Sequence, residues 1–202
     1  MNIVRQQNFL LRKEKILAMA ETLLLDNNQD ITLSELASEL DIAKGTIYKH
    51  FKSKNQLYLE LIILNEHRLL EISKKYKNNI KTYVSQYMLY NMLNSNRTIL
   101  LHVIEDRLTN NEKNLKELFE QLYAIREERI IEIRDMTGEY LTSLESAMSI
   151  RDYLSYIWTV TYGASLLLNS THYQKSIGSR ERLIKLYINQ ALMTPDKISL
   201  IH

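Results

Sequence analysis

The stretch AKGTIYKHFKSK, residues 43–54, holds four lysines and no acidic residue. Within it, Ile47 and Phe51 are four residues apart, a spacing that places two side chains on the same face of an α-helix. The stretch therefore predicts a short cationic helix, from about residue 44 to residue 51, that docks on the rest of the protein by a single apolar edge.

The residues in front of this helix complete a helix-turn-helix pattern. Residues 12–26 have apolar side chains at helical spacing. Thr32 and Glu35 form a predicted capping box, in which the threonine side chain caps the start of a second helix and the glutamate reaches back to it. That helix ends at residues 41–43, a turn short enough to join two packed helices. The sequence thus predicts an N-terminal domain of three helices.

The remaining sequence predicts long helices and no strands. A second capping box, Ser53 with Gln56, opens a helix at residues 54–75. Apolar periodicity predicts further helices at residues 79–94, 97–109, 113–136, 149–170 and 179–193, with Gly138, Gly178 and Thr194-Pro195 as stop signals. The 202 residues include only four glycines and one proline, as expected for an all-α fold.

The composition argues against several classes of function. The chain lacks cysteine, so no disulfide, thiolate nucleophile or cysteine-based metal site is possible. It contains no Gly-rich phosphate loop, no G-x-S-x-G and no H-E-x-x-H motif. We therefore expect no enzymatic activity, no cofactor and no metal.

The sequence also indicates where the protein works. The N-terminal residues lack the apolar core of a secretory signal. The most apolar run, which starts at Tyr153, is shorter than the roughly 20 residues that a membrane span needs. We expect a cytoplasmic protein with no membrane partner.

The outward face of the cationic helix suits DNA. Lysines neutralise phosphates, and a threonine such as Thr46 contacts a thymine methyl group or a base edge. Tyr48 and His50 carry groups that hydrogen-bond to phosphates, and Gly45 leaves room for close approach to the duplex. The alternative interpretation is a charged helix face that only contacts solvent. The net charge of +2 does not decide between the two.

Residues 12–64, and above all KGTIYKHFKSK followed by apolar residues, resemble the N-terminal domain of the tetracycline-repressor (TetR) family of bacterial transcription regulators. The resemblance implies that the helix at residues 44–51 enters the major groove. The DNA contacts that it implies are Thr32, Lys44, Gly45, Thr46, Tyr48, Lys49, His50 and Lys54. Two positions depart from the family pattern: Asp41 replaces the usual turn glycine, and Ala43 replaces a common serine cap.

The resemblance also implies how the chain is divided. Residues 1–53 are expected to form the helix-turn-helix DNA-binding domain. Residues 54–202 are expected to form a helical bundle that dimerises and holds a small ligand.

The helices predicted at residues 149–170 and 179–193 are apolar nearly all round, so each needs two packing partners. One partner is the domain's own core, and we expect the second to be the same helices of another subunit. The alternative is a buried central helix in a monomer. The predicted interface residues are Tyr153, Ile157, Val160, Ala164, Leu168, Ile184, Ile188 and Leu192.

The C-terminal sequence is rich in residues that line amphipathic ligand pockets. The chain has 13 tyrosines against 3 phenylalanines, and ligand pockets are mostly apolar with a few polar groups. The alternative interpretation is that these side chains are ordinary core. The predicted pocket residues are Tyr83, Tyr87, Met88, Met92, His102, Met136, Tyr140, Trp158 and Tyr162.

The expected function is that of a sequence-specific, DNA-binding transcriptional regulator. We expect a homodimeric repressor on a near-palindromic operator of double-stranded DNA, released by a small, largely apolar effector. Two alternatives remain at this point. One is a ligand-independent architectural protein that uses the same DNA-binding motif. The other is a helical-bundle enzyme or carrier whose N-terminal region is only structural.

Overall fold

The computed structural model describes residues 3–27, 30–111, 113–176 and 178–197. All regular secondary structure in these ranges is helical, which confirms the predicted all-α fold. The helices are α1 (Ile3–Asn27), α2 (Leu33–Glu39), α3 (Lys44–Tyr48), α4 (Lys54–Tyr76), α5 (Ile80–Leu93), α6 (Ser95–Asn111), α7 (Lys116–Ser143), α8 (Ile150–Asn169), α9 (Thr171–Ser176) and α10 (Arg180–Lys197), with a 3-10 turn at Lys113–Leu115. None of the helices described is both long and apolar enough to cross a bilayer.

The chain forms two compact units. The first unit comprises Met1–Leu64 and Val103–Gln121, and the second comprises Asn65–His102 and Leu122–His202. Helix α4 contributes its first part to the first unit and its last part to the second. The predicted functional division between residues 53 and 54 stays a prediction.

The core of the first unit holds α3 in place by its apolar edge. Helix α2 packs against both α1 and α3. Ile47 and Phe51 are both 0% exposed, as the spacing of four predicted. Since burying one such side chain contributes about 1.5–3 kcal/mol, these two residues dominate the docking of a helix only five residues long.

The predicted capping box at the start of α2 is confirmed. The Glu35 N–H donates to Thr32 Oγ1 at 3.1 Å, and the Thr32 N–H donates to Glu35 Oε2 at 2.9 Å. The turn that follows contains Asp41 with φ +49°, a left-handed conformation that aspartate tolerates. Ala43 then begins α3 without a side-chain cap. The turn therefore forms without the glycine and the serine that the family pattern has there.

The start of α4 differs in one contact from the predicted capping box. Ser53 Oγ accepts the Gln56 N–H at 3.1 Å, as predicted. The Gln56 side chain, however, accepts the N–H of Lys52 at 2.8 Å, one residue earlier than a capping box requires. The α4 start is also tied to the loop before α2, because the Tyr58 hydroxyl donates to Asp30 Oδ1 at 2.6 Å.

The second unit is a helical bundle in which α5, α8 and α10 pack against one another in pairs. Its core contains Val84 and Met88 from α5 and Tyr153 from α8, all 0% exposed, together with Ala191 from α10. The Tyr140 hydroxyl of α7 donates to the carbonyl of Leu192 at 2.7 Å. The end of α10 is therefore held by hydrogen bonds as well as by apolar packing.

Two predicted stop signals are wrong. Helix α7 continues through Gly138 to Ser143. A Cβ at position 138 would lie 3.4 Å from the Ile150 side chain, an ordinary van der Waals contact, and an isolated glycine is tolerated inside a long helix. Helix α10 continues through Pro195 to Lys197. Proline at 195 leaves the carbonyl of Ala191 without its helical donor, but the Tyr153 hydroxyl donates to that carbonyl at 3.3 Å.

Three further elements differ from the sequence prediction. Helix α1 begins at Ile3, nine residues earlier than residue 12, and α9 was not predicted. Helix α3 ends at Tyr48, because the next two residues form a turn. Gly178 behaves as expected of a stop signal, since it lies between α9 and α10 with φ +92°.

Replacing Ile47 with alanine tests the docking of α3. We expect Ile47→Ala to lower the free energy of unfolding by about 2–5 kcal/mol, because the side chain is wholly enclosed and leaves a cavity. Urea denaturation measures the change. Lys49→Ala on the exposed face of the same segment is the control and should change the free energy by about 0.5 kcal/mol or less. Equal effects of the two variants would contradict the docking described here.

Candidate nucleic-acid interface and candidate ligand cavity

Helix α3 turns the predicted DNA-contacting side chains outward. Lys44, Gly45 and Lys49 are exposed, Thr46 is half-buried, and Tyr48 is 49% exposed. A Cβ added at Gly45 would meet no atom within 4 Å, so the space in front of this residue is open. The face opposite Ile47 is thus accessible to a macromolecule.

Thr32 and Lys54 stand at the starts of α2 and α4 and already have partners. The Thr32 hydroxyl lies 3.1 Å from Glu35 Oε2 within the capping box. The Lys54 amine donates to Asp30 Oδ2 at 2.6 Å. Burial alone raises the pKa of Asp30, but hydrogen bonds from Lys54 and Tyr58 outweigh burial and lower the pKa. A DNA phosphate at Lys54 would therefore compete with a carboxylate that stays charged.

His50 is the predicted contact that the structure uses most for packing. Its ring stacks on Phe9 of α1, with ring centroids 4.1 Å apart. Its Nδ1 atom is buried and has no hydrogen-bond partner among the described residues. Burial, with the nearby charges of Arg12 and Lys13, lowers the pKa of His50 below its ordinary value. The ring is thus neutral at neutral pH and joins α1 to the segment after α3.

Comparison with known proteins agrees with this geometry. Residues 16–61 match the family model described as "Bacterial regulatory proteins, tetR family". Residues 16–61 are thus similar to the N-terminal helix-turn-helix domain of the TetR family.

The TetR-family match is supported by one relative. The HTH-type transcriptional regulator QacR of Staphylococcus aureus (strain Mu50 / ATCC 700699) is 35% identical over 82 residues. The matched segment covers 40% of this chain and 44% of the relative, so the chain spans less than half the length of that relative. The matched family residues include α2, α3 and the buried Ile47 and Phe51.

The predicted dimer-interface residues lie mostly inside the chain's own second unit. Five of the eight are at most 5% exposed in the single chain, and these are Tyr153, Ile157, Ala164, Leu168 and Ile184. The other three, Val160, Ile188 and Leu192, are partly buried and pack against the same core. The periodicity of α8 and α10 therefore reflects the chain's own core first. The predicted interface stays a prediction, and the half-exposed apolar side chains on the two helices are Trp158, Leu166, Leu186 and Met193.

The second unit contains a cavity of about 760 Å³ between α5, α7 and α8. Its lining residues are Tyr83, Tyr87, Arg129, Ile130, Ile133, Arg134, Ile150, Arg151, Leu154, Ser155, Ile157, Trp158 and Thr159. The buried lining residues are Tyr83, Tyr87, Ile133 and Ile157. The exposed ones, which form the rim, are Ile130, Arg134, Arg151, Ser155, Trp158 and Thr159. This volume is typical of sites for small molecules.

Three of the nine predicted pocket residues, Tyr83, Tyr87 and Trp158, line this cavity. The other six are outside its lining. Met88 and Met92 are 0% exposed core residues, Met136 packs against the core, and Tyr140 is bonded to α10. His102 and Tyr162 instead form an aromatic cluster with Trp158, with the His102 ring 4.7 Å from Tyr162 and 5.8 Å from Trp158.

The sequence prediction missed the arginines of the cavity. Arg129 is mostly buried and lies with its Nε atom 3.5 Å from Glu66 Oε2, while Arg126 Nε lies 3.1 Å from Glu66 Oε1. Burial works against the charge of Arg129, but Glu66 outweighs burial and raises the pKa of Arg129 above its ordinary value. Burial also raises the pKa of Tyr87 to about 12, so that the hydroxyl stays protonated. One carboxylate thus serves two guanidinium groups behind the cavity wall.

The lowered pKa of His50 predicts a loss of stability in acid. Below pH 6.5, the ordinary pKa of histidine, the unfolded chain binds the proton more readily than the folded chain. The stability that the neutral ring contributes is therefore present above pH 6.5 and lost as the pH falls through the lowered pKa. Urea midpoints at about pH 7.5 and about pH 5 measure this loss.

The control for this prediction is His50→Gln, which keeps a polar side chain without a titrating ring. We expect the variant to lose less stability between the two pH values than the wild type. Asp30 does not obscure the comparison, because its lowered pKa acts only below its ordinary value of 3.8. The same acid loss in both proteins would show that His50 is not responsible.

Proposed function

We propose that this chain is a homodimeric, sequence-specific DNA-binding repressor controlled by a small ligand. The observation that carries the proposal is the outward face of α3, with its lysines, Thr46 and Tyr48 accessible while Ile47 is enclosed. The TetR-family match over residues 16–61 supports the same function. Because bacterial DNA lies in the cytoplasm, the proposal places the protein there.

Helix α3 would enter the major groove, which is about 12 Å wide and admits an α-helix. Lys44 and Lys49 would neutralise phosphates, and Thr46 and Tyr48 would contact base edges or phosphates at the same place. Gly45 would bring the helix start close to the duplex. In a homodimer, two such helices would read half-sites about 34–36 Å apart on a near-palindromic operator.

Apolar side chains on α8 and α10 support a homodimer. Leu166 on α8 is 47% exposed, and Leu186 and Met193 on α10 are 49% and 47% exposed. Three large apolar side chains that are each about half exposed suit an interface between identical surfaces related by a two-fold axis. The α8 and α10 surfaces would thus bring the two α3 helices to one operator.

Ligand control requires that the ligand prefer one of two conformations. The cavity of the second unit is the proposed ligand site, and it is lined by α5, α7 and α8. Helix α4 is continuous from Lys54, just after the recognition segment, to Tyr76. A ligand that binds more tightly when α4 is shifted would disfavour the spacing that DNA needs, whereas equal affinity for both states would change nothing.

Substitutions on α3 test the DNA contacts, on an operator selected by the wild type from random duplexes. Lys49→Ala should weaken binding to all sequences and lower the salt slope by about one, because one phosphate contact is lost. Thr46→Ala should instead reduce the affinity ratio between the operator and single-mismatch duplexes. Fluorescence anisotropy at several salt concentrations measures both effects.

The matched control is Lys175→Ala, which removes an exposed lysine of α9 and the same amount of charge. It should leave the affinity and the salt slope unchanged. Wild-type affinity for both α3 variants would contradict the proposed contacts, and a wild type that selects and binds no DNA would favour a helical-bundle enzyme or carrier. A binding profile with no preferred sequence would favour an architectural protein.

A charge on α10 tests the homodimer. We expect Leu186→Glu to weaken dimerisation about tenfold or more, because the carboxylate loses its hydration when an apolar interface closes over it. Sedimentation equilibrium measures the change in the dimer dissociation constant. Ile131→Glu, at a 56% exposed apolar position on α7, is the control and should leave the dimer intact. A wild-type dimer in Leu186→Glu would exclude this surface of α10 from the interface.

A further inference from the structure

We propose that the cavity of the second unit binds an amphipathic anion, that is, a molecule with one carboxylate or similar acidic group on an apolar body. This inference rests on the ligand control proposed above and names the chemical class of the ligand. The juxtaposition that carries it is three arginines on a wall that, apart from Ser155 and Thr159, is aromatic and aliphatic.

The charge of the cavity is one-sided. Arg129 and Arg134 of α7 and Arg151 of α8 line it, and no aspartate or glutamate does so in the part of the chain that the structure describes. Three acidic residues on the same two helices have other partners. Asp152 is bonded to the Ser149 cap, and Glu128 and Glu132 pair with lysines of α4 and the turn after it.

Glu66 neutralises only part of this charge. Its two carboxylate oxygens face Arg126 at 3.1 Å and Arg129 at 3.5 Å, so one negative charge is shared by two positive ones. Arg129 Nε and Glu66 Oε2 are both buried and face each other at 3.5 Å, an ion pair in which neither atom makes a shorter hydrogen bond among the described residues. Because Glu66 is divided between two guanidinium groups, a carboxylate entering beside Arg129 would add a second acceptor for its charged N–H groups.

The rest of the lining fits an apolar body. Tyr83 and Tyr87 stack on one another with ring centroids 5.9 Å apart, and Ile133 and Ile157 are both 2% exposed. Trp158 closes the rim and lies parallel to Tyr162, at 5.6 Å. A neutral apolar molecule would use this wall but bring no acidic group to the arginines, and a cation would face three like charges. An anion with an apolar body uses both parts of the site.

The fluorescence of Trp158 gives a direct binding assay, because it is the only tryptophan of the chain and lies on the cavity. Three probes of similar length and no near-ultraviolet absorption separate the charge classes: decanoate, decanamide and decyltrimethylammonium. We expect decanoate to change the emission at a concentration about tenfold or more below that of either other probe, as charge-assisted hydrogen bonds require.

Two substitutions at the rim test whether the arginines cause this preference. Arg134→Gln and Arg151→Gln should each reduce the decanoate affinity severalfold and leave decanamide binding unchanged. Arg182→Gln, an exposed arginine of α10 outside the cavity, is the matched control and should change neither. Arg129 is left intact because its removal would take away one of the two guanidinium groups that pair with the buried Glu66 carboxylate. Circular dichroism confirms that each variant is folded.

Equal or tighter binding of decanamide or decyltrimethylammonium would overturn the inference, as would the absence of any emission change with all three probes. DNA binding, measured in the same samples by anisotropy, distinguishes failure of the anion site from failure of the proposed repressor function. Decanoate preference without any DNA affinity would refute the repressor and uphold the anion site. Release of DNA by decanamide as readily as by decanoate would uphold ligand control and overturn the anion site.

Discussion

The burial of Ile47 and Phe51 is the constraint on which the first unit depends. Helix α3 is too short to be stable by itself, it lacks a side-chain cap at Ala43, and it carries no charge pair of its own. Its position is set by two enclosed side chains and by the capping box of the helix before it. Because one edge is fully used for docking, the remaining circumference is left for lysines, a glycine and a threonine. The same two residues thus determine both the stability and the accessibility of the proposed DNA-binding face.

The two units differ in where their positive charges lie. In the first unit, lysines are presented to solvent, and the one that stands at the start of α4 is held by Asp30. In the second unit, arginine lies partly inside the protein, where planar guanidinium groups share a single buried carboxylate. Arginine is suited to this setting because its charge is delocalised and weakly hydrated. The chain's small net charge of +2 gives no indication of either the exposed lysines or the partly buried arginines.

Local sequence signals predicted the first unit well and the second unit only in part. The box at Thr32 and the left-handed Asp41 are decided within a few residues of chain, so their pattern was readable. Gly138 was misread because a single glycine does not end a helix that is otherwise well supported. Pro195 was misread because the hydroxyl that satisfies the Ala191 carbonyl belongs to Tyr153, which is far away in the sequence. The arginines of the cavity were missed for a related reason. On a helical wheel, a charged residue next to isoleucines is typical of a face exposed to solvent. Only the packing of α5, α7 and α8 shows that these arginines line a cavity.

The hydrogen bond from Tyr153 to the carbonyl of Ala191 couples two positions that are 42 residues apart in the numbering, 153 and 195. Proline is tolerated at 195 because a phenol on another helix takes over the role of the absent amide hydrogen. Phenylalanine at 153 would fit the same volume but would leave that carbonyl unsatisfied as long as the proline remained. Loss of the hydroxyl at 153 is therefore acceptable only after the proline at 195 has been replaced, so the order of substitutions at these two positions is restricted.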